Sequence, residues 1–182
     1  MRKSWGVAIG AIAVAGAVLA PATAWAAPAQ PGATASDTTT VFSVDSGALT
    51  ITAPESANLG SGDPGTTITG NLGAVTVTDS RALLTASWTT TVSASDFTTG
   101  GGTPAETIPA SDVGYDPGSI TTTGTITATG TPITLAGTPA PVVTGSAGVG
   151  NNTASWNPAV AVAVPASAVA GTYTATITHS VS

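Results

Sequence analysis

Apolar and hydroxyl residues alternate along much of this chain. Leu49, Ile51 and Ala53 are separated by Thr50 and Thr52, and Val75 and Val77 are interleaved with Thr76 and Thr78. The longest run sets Leu84, Ala86, Trp88, Thr90, Val92 and Ala94 on one side, with Thr85, Ser87, Thr89, Thr91, Ser93 and Ser95 on the other. Near the C-terminal end, Tyr173, Ala175, Ile177, His179 and Val181 alternate with Thr172, Thr174, Thr176, Thr178 and Ser180. Successive side chains of a strand point to opposite faces, so each segment predicts a strand with one apolar wall and one hydroxyl wall. Threonine suits the hydroxyl wall because its β-branch stiffens χ1 in favour of extended backbone.

Turn chemistry falls between these runs, at Asp45-Ser46-Gly47, Asp63-Pro64-Gly65, Asp116-Pro117-Gly118 and Thr129-Gly130-Thr131-Pro132. Proline followed by glycine presets a tight reversal. Residues 98–104, with three consecutive glycines, read as a mobile loop, and residues 136–153 as a second irregular stretch rich in Gly, Pro and Ala. No segment carries an amphipathic helical period. Short alternating strands joined by Gly/Pro turns predict an all-β chain, an antiparallel β-sandwich of about 8–10 strands. One echo occurs within it: Ile108-Pro-Ala-Ser-Asp-Val113-Gly-Tyr115 resembles Val164-Pro-Ala-Ser-Ala-Val169-Ala-Gly-Thr-Tyr173. Its simplest reading is a strand-crossing turn used twice.

The first 26 residues read as an address. Arg2 and Lys3 precede an apolar run over residues 7–19, and Ala24-Trp25-Ala26 supplies an A-x-A pattern that predicts cleavage between Ala26 and Ala27. The run is too short to span the roughly 30 Å hydrocarbon core, and no second apolar stretch long enough follows, so no membrane span is expected once the signal is removed. The protein is therefore expected to be secreted, with residues 27–38 a flexible leader and residues 39–182 one domain. Neither a cysteine for lipid attachment nor an LPxTG-like sorting signal is present, so any retention at the surface would be non-covalent.

Composition narrows the function. Threonine occurs 35 times, while only 12 residues are charged and none is cysteine. Downstream of Ala26 the only basic residue is Arg81, against nine carboxylates, a net charge of −8. One cation cannot neutralise several phosphates, so nucleic acid is excluded as an expected partner, and anionic surfaces are disfavoured. With a single histidine and no cysteine, zinc and haem lack ligands, and the nine scattered carboxylates form no D-x-[DN]-x-[DN]-G loop that would point to calcium, so no metal site is assigned and no cofactor is expected. His179 is the only residue around which a Ser-His-Asp triad could be built, and its strand pattern turns it toward the apolar side. Thr98-Thr-Gly-Gly-Gly-Thr103 lacks the lysine of a phosphate loop. No catalytic residue is assigned, and the expected role is not enzymatic. Of the large side chains, Trp88 and Trp156 either fill the space between two sheets or offer an indole face to a sugar ring.

The C-terminal segment, Ser155-Trp-Asn-Pro-Ala-Val-Ala-Val-Ala-Val-Pro-Ala-Ser-Ala-Val-Ala-Gly-Thr-Tyr-Thr-Ala-Thr-Ile-Thr178, resembles the C-terminal half of WxL-type domains, cell-surface modules of Gram-positive bacteria. Gly73-Ala-Val-Thr-Val-Thr-Asp-Ser-Arg81, with Trp88 and the strand to Phe97, is similar to that family's first half. The likeness covers roughly residues 45–181, and the Ala/Thr/Gly-heavy composition suits a high-GC actinobacterial host. Where the family has two Trp-x-Leu motifs, this chain reads Trp88-Thr89-Thr90 and His179-Ser180-Val181, so both are altered. The resemblance implies an extracellular β-sandwich that attaches non-covalently to the cell wall through peptidoglycan. On that basis Trp88, Thr90, Trp156, His179 and Val181 are the candidate ligand-binding residues. Two further readings stand beside it: a structural or adhesive subunit that binds other surface proteins through exposed strand edges, and a secreted carbohydrate-binding module.

Overall fold

The computed structural model describes residues 38–182. The predicted signal peptide, its cleavage point at Ala26 and Ala27, and nearly all of the predicted leader lie outside them. The unit that carries every element runs from Phe42 to Ser182, and its regular structure begins at Leu49. It is all-β and antiparallel, with helix confined to two single 3₁₀ turns, Pro104–Glu106 and Ala110–Asp112. Among the described residues there are twelve strands, of which nine have four or more residues.

Two long strands organise the larger sheet. Strand β3 (Val75–Ala94) pairs along its length with β10 (Ala140–Trp156). Each is flanked on its other side by two short strands set end to end. Beside β3 lie β1 (Leu49–Thr52) and β12 (Ile177–Val181), and beside β10 lie β7 (Ile120–Thr123) and β8 (Thr127–Gly130). The second sheet has the order β2 (Thr67–Asn71), β11 (Ala159–Ala163), β6 (Val113–Asp116) and β9 (Ile133–Thr134). A third, of two residues per strand, joins β4 (Phe97–Thr98) to β5 (Thr107–Ile108).

The inward residues of the two larger sheets form one apolar cluster. Val75, Val77, Trp88, Val92, Ala154 and Trp156 come from the first sheet, and Val113, Tyr115, Val160 and Val162 from the second. Most of these side chains are small. The two indoles and the Tyr115 ring supply the volume that valine and alanine leave unfilled. Gly145 lies opposite Trp88 in the ladder, and a Cβ on it would overlap the indole. A glycine there lets the largest core residue lie flat against the neighbouring backbone.

Strand β3 was expected as two separate alternating runs; it is one strand broken in phase. Asp79 is opposite Asn152 and Ala86 is opposite Gly148, so β3 uses three more residues than β10 between these rungs. An odd excess reverses which parity faces the core. Val75, Val77 and Asp79 therefore point inward before the break, and Ala86, Trp88, Thr90, Val92 and Ala94 after it. Leu84 was expected on the apolar face and is instead 80% exposed, because it lies within the bulged excursion with Leu83. Arg81 staples that excursion. Its Nε and one terminal nitrogen each donate to the Asp79 carboxylate at 2.8 Å, and the same terminal nitrogen donates to the Ser87 carbonyl at 2.8 Å.

Residues 136–153 were expected to be irregular, yet they contain most of β10. Shifts of register at residues 141–143, 145–148, 148–150 and 150–152 destroy the period of two that would have marked a strand. The glycine-rich stretch at residues 100–102 is held by Glu106, whose carboxylate accepts from the Thr103 backbone N–H at 3.0 Å and the Thr103 hydroxyl at 2.8 Å. Gly100 and Gly102 there adopt positive φ.

The two echoed segments make the same turn. Asp112 N–H donates to Pro109 O, and Ala168 N–H donates to Pro165 O, both at 3.0 Å. The tyrosines that follow part company: Tyr115 is buried, while Tyr173 lies partly exposed and donates to the Val169 carbonyl at 2.9 Å.

Candidate binding surface

The five candidate residues fall on facing or adjacent strands. Pairing of β12 with β3 sets Val181 opposite Thr90 and His179 opposite Val92, and Thr89 and Ser182 exchange backbone hydrogen bonds at 2.8 and 3.1 Å. The segments Trp88-Thr89-Thr90 and His179-Ser180-Val181, far apart in sequence, thus lie side by side. Their side chains at Trp88, Thr90, His179 and Val181 all point inward, because directly opposed residues of an antiparallel pair share a face. Trp88 is 4% exposed and Trp156 2%, so neither presents an indole face to a ligand. Thr90 is fully buried, and its hydroxyl has no hydrogen-bond partner.

His179 and Trp156 are connected through Tyr115, which the sequence marks only as the end of the first echoed segment. Trp156 Nε1 donates to Tyr115 Oη at 3.1 Å, and Tyr115 Oη lies 3.0 Å from His179 Nε2. The phenol already accepts from the indole, so its own proton is free for the imidazole. A phenol that donates to Nε2 pairs with a neutral imidazole whose ring hydrogen sits on Nδ1. Burial pushes the Tyr115 phenol up to about 12, which keeps that proton in place, and burial lowers the His179 pKa. Because Tyr115 stands on β6, the chain ties the second sheet to both β10 and β12 of the first.

Two more buried polar groups flank the phase break. Asp79 is held below its ordinary pKa chiefly by the Arg81 guanidinium. Asn152 Oδ1 accepts from the backbone N–H of Thr125 at 3.0 Å and of Ile126 at 3.2 Å, while its amide donates to Gly150 O at 2.9 Å. These bonds close the short interruption between β7 and β8. Both groups satisfy backbone and charge internally and offer nothing to a ligand.

The outward side of the larger sheet is different. In one row Thr50, Thr78, Thr153 and Thr123 lie directly across from one another on β1, β3, β10 and β7. In the next row stand Thr52, Thr76, Ser155 and Thr121. Past the phase break, Thr89, Thr144 and Thr129 form a third row on β3, β10 and β8. Rungs are spaced by about 4.8 Å across strands. Thr76 Oγ1 and Ser155 Oγ hydrogen-bond at 3.0 Å, and Thr123 and Thr153 join in the same way. No outward position in these rows is charged. The sequence shows a hydroxyl wall on β1, β3 and β12 separately; the register adds β10, β7 and β8 and assembles the walls into a surface.

The second sheet presents alanine and glycine at the centre of its outward face, with threonines only toward its edges. Thr69, Ala161, Gly114 and Thr134 make its central row, beside a shallow depression of about 270 Å³ that includes Ala159, Ala161 and Gly114.

No family model, curated protein or solved structure matches the chain. Among the described residues, no helix is long and apolar enough to cross a membrane, and no group of three or more His, Asp or Glu residues is placed to hold a metal ion.

Proposed function

We propose that the protein is a secreted, non-enzymatic surface domain that associates non-covalently with the peptidoglycan of the cell wall. The observation that carries this reading is the pairing of β12 with β3. It sets next to each other in one sheet the two segments, Trp88-Thr89-Thr90 and His179-Ser180-Val181, that stand where the sequence resemblance would place the paired motifs of WxL-type domains. The N-terminal address supports export, and the uncharged outer face supports a neutral polymer as ligand over an anionic one. The buried indoles take support away from a carbohydrate-binding module that works by stacking.

Co-sedimentation with peptidoglycan sacculi stripped of teichoic acid tests the proposal. A saturable pellet that persists at high salt is the expected result, since neutral contacts are not screened. Protein that stays in the supernatant at all salt concentrations would overturn it.

A structural subunit that binds other proteins is the second reading. Among the described residues, β7 and β12 each have one edge without a partner strand, and neither strand contains a Lys or Pro that would guard it. Sedimentation velocity separates the two, because edge pairing between copies gives a mass that rises with concentration.

A further inference from the structure

We infer that the binding site for the glycan is the outward hydroxyl face of the six-stranded sheet, and that its ligand is a neutral glycan strand laid across β1, β3, β10 and β7. This rests on the wall-binding reading above and adds to it the face and the ligand chemistry. Of the candidate motif side chains, Trp88, Thr90 and Trp156 are buried and present no surface to a polymer, while His179 and Val181 are half-buried on the inward side of β12.

Charge selects the occupant. Downstream of Ala26 the protein carries a net −8, yet the outward rows centred on Thr78–Thr153 and Thr76–Ser155 contain no ionisable group. A phosphate-rich polymer meets no cation there, and a basic protein meets no anion. A neutral polyol loses nothing. Each threonine hydroxyl offers one donor and two acceptor sites, so the cross-strand bonds at Thr76–Ser155 and Thr123–Thr153 align the hydroxyls while leaving lone pairs for a ligand. The methyl groups between them give apolar spots for the C–H faces of sugar rings. Threonine is stiff at χ1, so binding immobilises little that is not already fixed. Four hydroxyls at strand spacing reach about 14 Å, the length of a segment of about three pyranose rings.

The test uses the purified protein, teichoic-acid-free sacculi, and two sets of substitutions. Thr78→Val with Thr153→Val removes two central hydroxyls at constant shape, and Thr153→Lys places a cation in the same row. Ala161→Lys, outward on the second sheet, is the control. The inference expects each of the first two variants to lose at least tenfold in sacculus affinity with an unchanged melting temperature, and Ala161→Lys to bind as the parent does. If the parent pellets and the Thr78/Thr153 variants bind equally well, the face is wrong while the wall reading survives. A loss only in Ala161→Lys would overturn the face in favour of the second sheet. If the parent does not pellet, the wall reading and this inference fall together.

Discussion

The two faces of β3 make opposite uses of the same backbone. Its inward positions, Val75, Val77, Trp88, Val92 and Ala94, are almost fully buried and hold two sheets together. Its outward positions, Thr76, Thr78, Thr89, Thr91 and Ser93, are hydroxyls, and at Thr76, Thr78 and Thr89 they continue onto β10 as rows of hydroxyls. A side chain on the first face should act on stability, and one on the second on binding. The comparison teaches that the alternation separates a packing face from a hydroxyl face, and that both tryptophans among the described residues belong to the first.

The largest expected effect is at Trp88. Trp88→Ala removes an indole packed over Gly145 and should destabilise the domain by about 3–5 kcal/mol, read by urea unfolding. A loss well under 1 kcal/mol would put that indole on the surface and break the division between faces. Next comes Asn152→Ala, which strands the buried backbone donor of Ile126 and exposes that of Thr125 to solvent; one buried unsatisfied group costs about 1–3 kcal/mol. The same unfolding assay checks it.

Acid should loosen the inner face through His179. Its folded-state pKa lies below the ordinary imidazole value of about 6.5, so the unfolded chain binds the proton more readily. The stabilisation is complete above that ordinary value. It is lost as the pH falls from about 6.5 through the folded-state pKa. Carboxylates titrate lower, near 4, so the melting temperature should already decline between pH 7 and 5. In His179→Leu that early decline should vanish; its persistence would show that another group is responsible.

The smallest effect sharpens the comparison from inside. Thr90 is a hydroxyl on the apolar face with no partner, so Thr90→Val should raise stability by about 1 kcal/mol. A decrease would mean that the hydroxyl is satisfied in solution.

Much of the strand pattern was legible because threonine and valine mark a half-buried strand clearly. Residues 75–78, 86–94 and 177–181 were each anticipated on the correct faces. Leu84 failed because three extra residues in β3 shift the phase, and a bulge leaves no local mark that a period of two can register. Strand β10 was hidden for the same reason, as Gly145, Gly148 and Gly150 sit where its ladder slips. The site was less legible than the fold. Trp88, Trp156 and His179 stand out by size or rarity, but their neighbours are set by pairing across long stretches of chain. Tyr115 joins Trp156 and His179 only because β6 crosses beneath them both. The rows of hydroxyls likewise depend on the register of four strands, which no single strand contains.

The most direct test of the division between faces is an amide chemical-shift map of the isotope-labelled protein titrated with soluble glycan fragments released from sacculi. The account predicts perturbations centred on Thr76, Thr78, Thr153 and Ser155, with little change at Gly114 and Ala161 of the second sheet. Shifts concentrated at Gly114, Ala159 and Ala161, or a spectrum that does not respond at saturating fragment, would contradict it.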